Sequence, residues 1–185
     1  IPHAAAAVMA KYVLREEGVQ IPIITTLHGT DITLVGKDAT YGPVIHYSLN
    51  QSDGVTAVSE SLKTDTKDIF QFEKEIRVIP NFVDFARFQR QPKEHFKLAI
   101  APNKERIVIH TSNFRKVKRV DDVLIVFRLI QQQLPARLLM VGDGPERVRL
   151  ERECRNSNMC DKITFLGKQD AVEEILSVGD LFLMP

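Results

Sequence analysis

The chain has 185 residues, 44% of them hydrophobic, which is enough for one large core or two small ones. Its 25 lysines and arginines nearly cancel its 24 aspartates and glutamates, so the overall basic excess of a nucleic-acid coat is excluded. No apolar run approaches the ~18 residues of a membrane span, and Cys154 and Cys160 have neither a zinc spacing nor the number of a disulfide framework, so they read as free thiols of a cytoplasmic protein.

The opening stretch IPHAAAAVMAKYVL is already helical. Residues 19–29 predict a buried strand running into Gly29, and residues 43–52 a short helix. A strand over 53–59 leads into a helix over 59–71 opened by Ser59, and residues 75–81 form the next strand. Residues 84–105 hold two prolines, many charges and little periodicity, and read mostly as a linker. Beyond it, residues 105–112 predict a strand, and residues 120–134 place Val120, Val123, Leu124, Phe127, Ile130 and Leu134 on one helical face, ended by Pro135. Strands over 136–142 and 162–167 alternate with helices over 145–156 and 171–179, and the closing LFLMP is a last strand. Near-continuous apolar strands alternating with helices imply parallel sheets covered on both faces. The fold class is therefore α/β, with one Rossmann-like unit over 1–90, a linker over 91–105 and a second unit over 106–185. Both ends read as cut, so the chain is expected to be an internal fragment.

In such sheets ligands sit beyond the carboxyl ends of the strands, which makes four strand ends informative. The first is LHGTD, where His28 and Asp31 flank Gly29. Either the two side chains face a cleft between the units, or Asp31 caps a helix and His28 packs. The second is SNFRKVKR. Ser112 and Asn113 are candidate caps, and Arg115, Lys116, Lys118 and Arg119 crowd positive charge onto a helix N-terminus that already favours an anion. The cluster either holds a strong anion such as a diphosphate or is a solvated charge run, with Lys116 the residue best assigned to solvent. The third is VGDGPE, where Gly142 and Gly144 allow close backbone approach and Pro145 suits the start of a helix. That suits a phosphate or sugar contact, and equally a tight turn. It is not the G-x-G-x-x-G dinucleotide fingerprint. The fourth is GKQD, where Gly167 lets the chain pass a flat ligand and the backbone of Lys168 and Gln169 can read a base edge, unless it is a plain loop. No two aspartates stand at i, i+2. The Asp-x-Asp metal clasp is thus missing from these residues, and no metal or other cofactor is expected; protein cations would take that role.

Taken in order and spacing, LHGTD, SNFRKVKR, VGDGPE, ITFLG and DLFLMP resemble the retaining GT-B glycosyltransferases of the glycogen-synthase-like group. IPHAAAA, ITTLHGTDITLVG, VSESL and IPNFVD are similar to the branch of that group that opens bacillithiol synthesis. The resemblance implies a two-domain enzyme with an acceptor-side domain first, a nucleotide-sugar domain second and the active site in the cleft. It would move N-acetylglucosamine from UDP-GlcNAc to the hydroxyl of L-malate with retention of configuration. Lys118 matches the family's pyrophosphate-binding lysine. Asn113 stands where most members carry an arginine, with Arg115 as the nearer substitute. His28 matches the cleft histidine beside the donor sugar, and Gly167, Lys168 and Gln169 match the loop near the uracil, while Thr26 sits where an acceptor contact could be made. The family's E-x7-E motif would follow Pro185 and its glycine-rich loop would precede Ile1, so the fragment alone is expected to be inactive. Related enzymes that use inositol phosphate or a lipid-linked sugar, and a non-catalytic anion-binding module, remain the alternatives. Homo-oligomerisation is left open.

Overall fold

In the computed structural model, which describes residues 2–29, 32, 38 and 40–185, the chain divides into two units, Ile1–Phe82 and Val83–Pro185. The first runs α1 (Pro2–Glu16), β1 (Ile24–Leu27), α2 (Gly42–Gln51), β2 (Gly54–Ala57), α3 (Glu60–Phe70) and β3 (Ile76–Val78). The three strands form a parallel sheet in the order β1-β2-β3. Ser59 starts α3 as expected of a serine with extended backbone. Its hydroxyl accepts from the Leu62 N–H at 3.2 Å, satisfying a donor that the helix leaves orphaned. Leu62, Thr66 and Phe70 then recur every fourth residue on the buried face, where the Thr66 hydroxyl returns its bond to the Leu62 carbonyl at 2.7 Å. The core gathers Leu27, Ile45, Leu49, Val55, Leu62, Phe70 and Ile76. On the outside, Asp53 ties α1 to the start of β2: its carboxylate takes Lys11 Nζ at 2.6 Å and the Ile23 N–H at 2.7 Å.

β1 departs from the buried strand expected over residues 19–29. Only four residues are strand, and Ile24 is 70% exposed. Apolar composition promised cover on both faces. Among the described residues, however, β1 is an edge paired only with β2, and only Leu27 reaches the core.

The second unit runs α4 (Glu94–Ile100), β4 (Arg106–Thr111), α5 (Val120–Gln133), β5 (Ala136–Val141), α6 (Arg147–Asn156), β6 (Ile163–Gly167), α7 (Val172–Val178) and β7 (Leu181–Phe182). Its sheet is parallel throughout, ordered β6-β5-β4-β7. Alternation along β4 and β5 feeds two cores. Val108, Leu138 and Met140 pack with Val120, Val123, Leu124 and Phe127 of α5 and Leu150 of α6. Ile107, Ile109, Leu139 and Val141 pack on the other face with Ile175 and Val178 of α7. Both sides of each strand are buried, which is why these strands read as unbroken apolar runs.

The stretch 91–105, expected as a linker, carries α4 instead. Phe96 and Ile100 pack on the second core and Ala101 is buried there. The charges that suggested a solvated linker have partners on or next to α7: Arg87 pairs with Glu173 at 2.8 Å, Lys93 with Glu174, and Lys97 with Asp180 at 2.8 Å. Asp180 also accepts the Ile107 N–H at 2.8 Å. Burial pushes its carboxyl up, but Lys97, the Ile107 N–H and Arg106 outweigh that and hold it below the usual carboxylate range.

Candidate functional site

In the first unit, the end of β1 carries the predicted pair Thr26 and His28. Thr26 Oγ1 accepts from Thr56 Oγ1 on β2 at 2.9 Å, so the exposed row of threonines is knitted across the strands. His28 is exposed and follows directly on β1. With His3, Thr26, Leu27, Ser48 and Leu49 it lines a cavity of about 410 Å³. Gly29 takes φ 122°, outside the range of ordinary side chains, and its carbonyl accepts the Ile32 N–H at 2.9 Å. Asp31 lies outside the described residues.

In the second unit, β4, β5 and β6 are neighbours, so the loops at their carboxyl ends come together. The loop after β4 holds the four cations. Phe114, in their midst, is fully buried at φ 33° and packs with Val120, Val123 and Leu150. One apolar side chain therefore pins the loop, and Arg115, Lys116 and Lys118 are left exposed. A single 3₁₀ turn over Lys116–Lys118 leads into α5. Arg119 occupies the N-cap of α5 in a left-handed conformation and pairs with Asp122. Arg115, Lys116 and Lys118 make no ion pair among the described residues. Among the described residues the cluster of four is thus three cations without an ion pair and one internal pair.

Neither Ser112 nor Asn113 caps α5. The Ser112 hydroxyl accepts the Phe114 N–H at 3.3 Å, and α5 begins at Val120 with no side-chain cap. Asp121 and Asp122 fill its first turn, so part of the field that would draw an anion is already answered by the helix's own carboxylates. The pull on an anion rests on the side-chain cations.

Gly142 and Gly144 do allow close approach, and what approaches is protein backbone. A Cβ on Gly142, at φ 117°, would stand 1.9 Å from the Ser112 carbonyl oxygen, and one on Gly144 would stand 2.0 Å from that of Asn113. The Gly142 N–H donates to the Gly167 carbonyl at 2.7 Å, and the Glu146 N–H to that of Phe114 at 3.0 Å. The three loops are therefore bonded edge to edge, with the cations of the first carried on the second. Pro145 precedes α6 by two residues, in the turn. Arg147 at the start of α6 holds Asp143 at 3.3 Å and Glu151 at 2.8 Å, and lies 3.2 Å from the position of a Cβ on Gly167. Lys168 and Gln169 are exposed, Gln169 bonding back to the Leu166 carbonyl at 2.7 Å.

Sequence reasoning missed His110. It is buried at the end of β4, with Nδ1 donating to the Leu183 carbonyl at 2.9 Å. That carbonyl fixes the tautomer, so Nε2 accepts from the Ser112 hydroxyl at 2.9 Å, and the ring stacks on Phe114 at 6.2 Å between centroids. Burial lowers its pKa, the Leu183 carbonyl opposes this, and the nearby Lys118 ammonium lowers it further. A polar residue inside an apolar strand was the available signal.

With this geometry in hand, residues 90–185 match the family described as Glycosyl transferases group 1, and residues 1–87 match Glycosyltransferase Family 4. N-acetyl-alpha-D-glucosaminyl L-malate synthase of Bacillus anthracis is 44% identical over the whole chain, which spans 48% of that relative. The EpsF protein of Bacillus subtilis, a putative glycosyltransferase by name, is 28% identical over 60% of this chain and 30% of its own length. Among solved structures, Anabaena HepE in complex with UDP and glucose superposes with a TM-score of 0.77 at 18% identity, over 98% of this chain and 49% of that one. Staphylococcus aureus TarM gives 0.67 at 20% identity, over 88% of this chain and 32% of that one. The chain spans about half the length, or less, of the curated relatives it matches.

Proposed function

From a chain that belongs to the group 1 glycosyl transferases and has their GT-B α/β architecture, we propose that the whole protein is a retaining, UDP-sugar-dependent glycosyltransferase that moves N-acetylglucosamine from UDP-GlcNAc to L-malate, the first step of bacillithiol synthesis. One observation carries the donor side: Arg115 and Lys118 pair with no carboxylate among the described residues and stand on a loop whose position is set by the buried Phe114. Cations held in place without a carboxylate partner suit a diphosphate whose charge grows as the glycosidic bond breaks, because stabilisation that needs no rearrangement lowers the barrier most. The acceptor reading is supported by the 44% identity to the malate synthase along the whole chain.

In this reading Arg115 and Lys118 hold the pyrophosphate, with the Asn113 backbone beside them. Gly142 and Gly144 set the cation loop in place. Gly167, Lys168 and Gln169 pass the uracil, while His28 stands by the donor sugar and Thr26 by the acceptor. No side chain of this stretch serves as nucleophile. The departing phosphate takes the acceptor proton on the same face of the sugar, and catalysis is positioning plus charge stabilisation. No divalent metal is needed, since no Asp-x-Asp clasp is present in the chain. The test is transfer by the complete protein with UDP-GlcNAc and a panel of hydroxy acids, with and without EDTA. The expected result is UDP release and a glycosylated product with L-malate, undiminished by chelator. UDP release only with another acceptor class overturns the malate assignment. Loss of activity in EDTA restored by magnesium or manganese overturns metal independence.

A further inference from the structure

Far along α6 from the cation loop, Cys154 lies in the last turn of the helix, 3% exposed among Phe127, Leu150, Met159 and Ile163. Cys160 stands exposed just before β6, and both thiols are free. Their sulfurs are 2.9 Å apart, the Cys160 thiol donating to Cys154 Sγ. We propose that Cys154 and Cys160 form a reversible intrachain dithiol–disulfide couple whose reactant is a low-molecular-weight disulfide.

The turn between them holds the two sulfurs together without a covalent bond. The Ser157 N–H and hydroxyl both donate to the Cys154 carbonyl, at 3.2 and 3.0 Å. Asn158 takes a left-handed φ of 52°, which turns Met159 into the core beside Cys154 and leaves Cys160 on the surface next to it. The Lys162 N–H closes the turn on the Met159 carbonyl at 2.9 Å. A disulfide has its sulfurs about 2.05 Å apart, so closure asks the pair to move together by roughly 0.9 Å.

The two thiols differ in the way such a couple requires. Cys160 is open to solvent. Burial pushes the Cys154 thiol up to about 12, and the Cys160 thiol beside it and Asp161 add to that while Arg155 opposes it. Cys160 therefore reacts first. Its thiolate attacks one sulfur of RS–SR, an S–S bond to R forms, and the first RS⁻ leaves and takes up the proton that Cys160 lost. Cys154 then gives up its proton and attacks Cys160 Sγ. The bond to R breaks, and the second RS⁻ leaves and is protonated. Both cysteines are oxidised by two electrons in all, and the reagent is reduced to two thiols.

The arrangement makes its own assay. Trypsin cuts after Arg152, Arg155 and Lys162, so Cys154 falls in Glu153–Arg155 and Cys160 in Asn156–Lys162. The complete protein is treated with oxidised glutathione, its remaining thiols are alkylated, and it is digested without reductant. The expected product is the two peptides joined by a disulfide, abolished by dithiothreitol. Cys154→Ser should stop at a glutathione adduct on Asn156–Lys162, and Cys160→Ser should leave Cys154 unmodified in the folded protein. A wild-type digest with a stable adduct on Cys160 and no joined pair overturns the proposal. So does one in which both peptides are only alkylated. The wild-type digest decides even where a variant fails to fold.

Discussion

Gly29 and Gly142 follow parallel strands with nearly the same φ, 122° and 117°, and differ in what a side chain there would meet. Nothing among the described residues lies within 4 Å of a Cβ placed on Gly29, whereas on Gly142 it would meet the Ser112 carbonyl oxygen at 1.9 Å. At the first glycine the positive φ shapes the turn. The second serves a contact between neighbouring loops, and with Gly144 it sets where the cations stand. Strand ends in the second unit are shaped jointly by neighbouring loops, so the same substitution should reach further there.

The sharpest way to break this comparison is alanine at both positions. Gly29→Ala should cost about 1–3 kcal/mol of backbone strain. Gly142→Ala adds overpacking of about 1–3 kcal/mol or more and displaces Ser112. It should therefore lower the thermal midpoint of the complete protein further and remove UDP binding by calorimetry. Equal losses at the two sites would show that the loops of the second unit do not depend on each other.

His28→Ala probes the first unit by chemistry. Turnover should fall at least tenfold, as for the loss of a group used in the transition state, while UDP titrates as in wild type. An unchanged rate, with the cavity side chains simply repacked, would return His28 to a packing role.

Within the cation loop the contrast is between neighbours. Lys118→Ala and Arg115→Ala should each weaken UDP binding about ten- to a hundredfold, as expected for one charge-assisted hydrogen bond. Lys116→Ala should change it by no more than about twofold. Calorimetric titration of the three variants decides this, and three equal small losses would reduce the cluster to a solvated face.

The smallest effect is acid sensitivity through His110. Its folded pKa lies below the ordinary 6.5 because burial disfavours the imidazolium. As pH falls through 6.5, the unfolded chain therefore takes up the proton first. Stability carried by the neutral ring is complete above that value and is lost as pH drops toward the folded pKa. Thermal midpoints between about pH 7.5 and pH 5.5 should fall in wild type and flatten in His110→Gln. Parallel slopes would assign the acid sensitivity elsewhere.

Much of the second unit was legible because β4 and β5 are buried on both faces, so their composition alone marks them. Ser59 and Pro135 marked helix ends by side-chain chemistry that acts within a few residues. What escaped depends on partners far along the chain. α4 is only seven residues long, too short for a periodic signal, and its charges look solvated until Glu174 and Asp180 are placed beside them. β1 looked buried because its composition cannot say whether a second neighbour is present. The cation loop was legible as charge and illegible as geometry. Phe114 at positive φ has no local signature, and Gly142 and Gly144 declare their purpose only when the Ser112–Asn113 backbone is set against them.

Phe114 separates two properties that are often bound together, where a loop stands and what it attracts. Its anchorage lies in a ring sealed under α5 and α6, and its charges lie on residues that touch no core. Variation can therefore rewrite the cations one at a time, exchanging arginine for asparagine at 113 or shifting the positive centre to 115, with little risk to foldedness. A lineage carrying this anchor can explore new anionic ligands without first rebuilding the fold, and the preference of the loop becomes a trait that varies independently of the architecture beneath it.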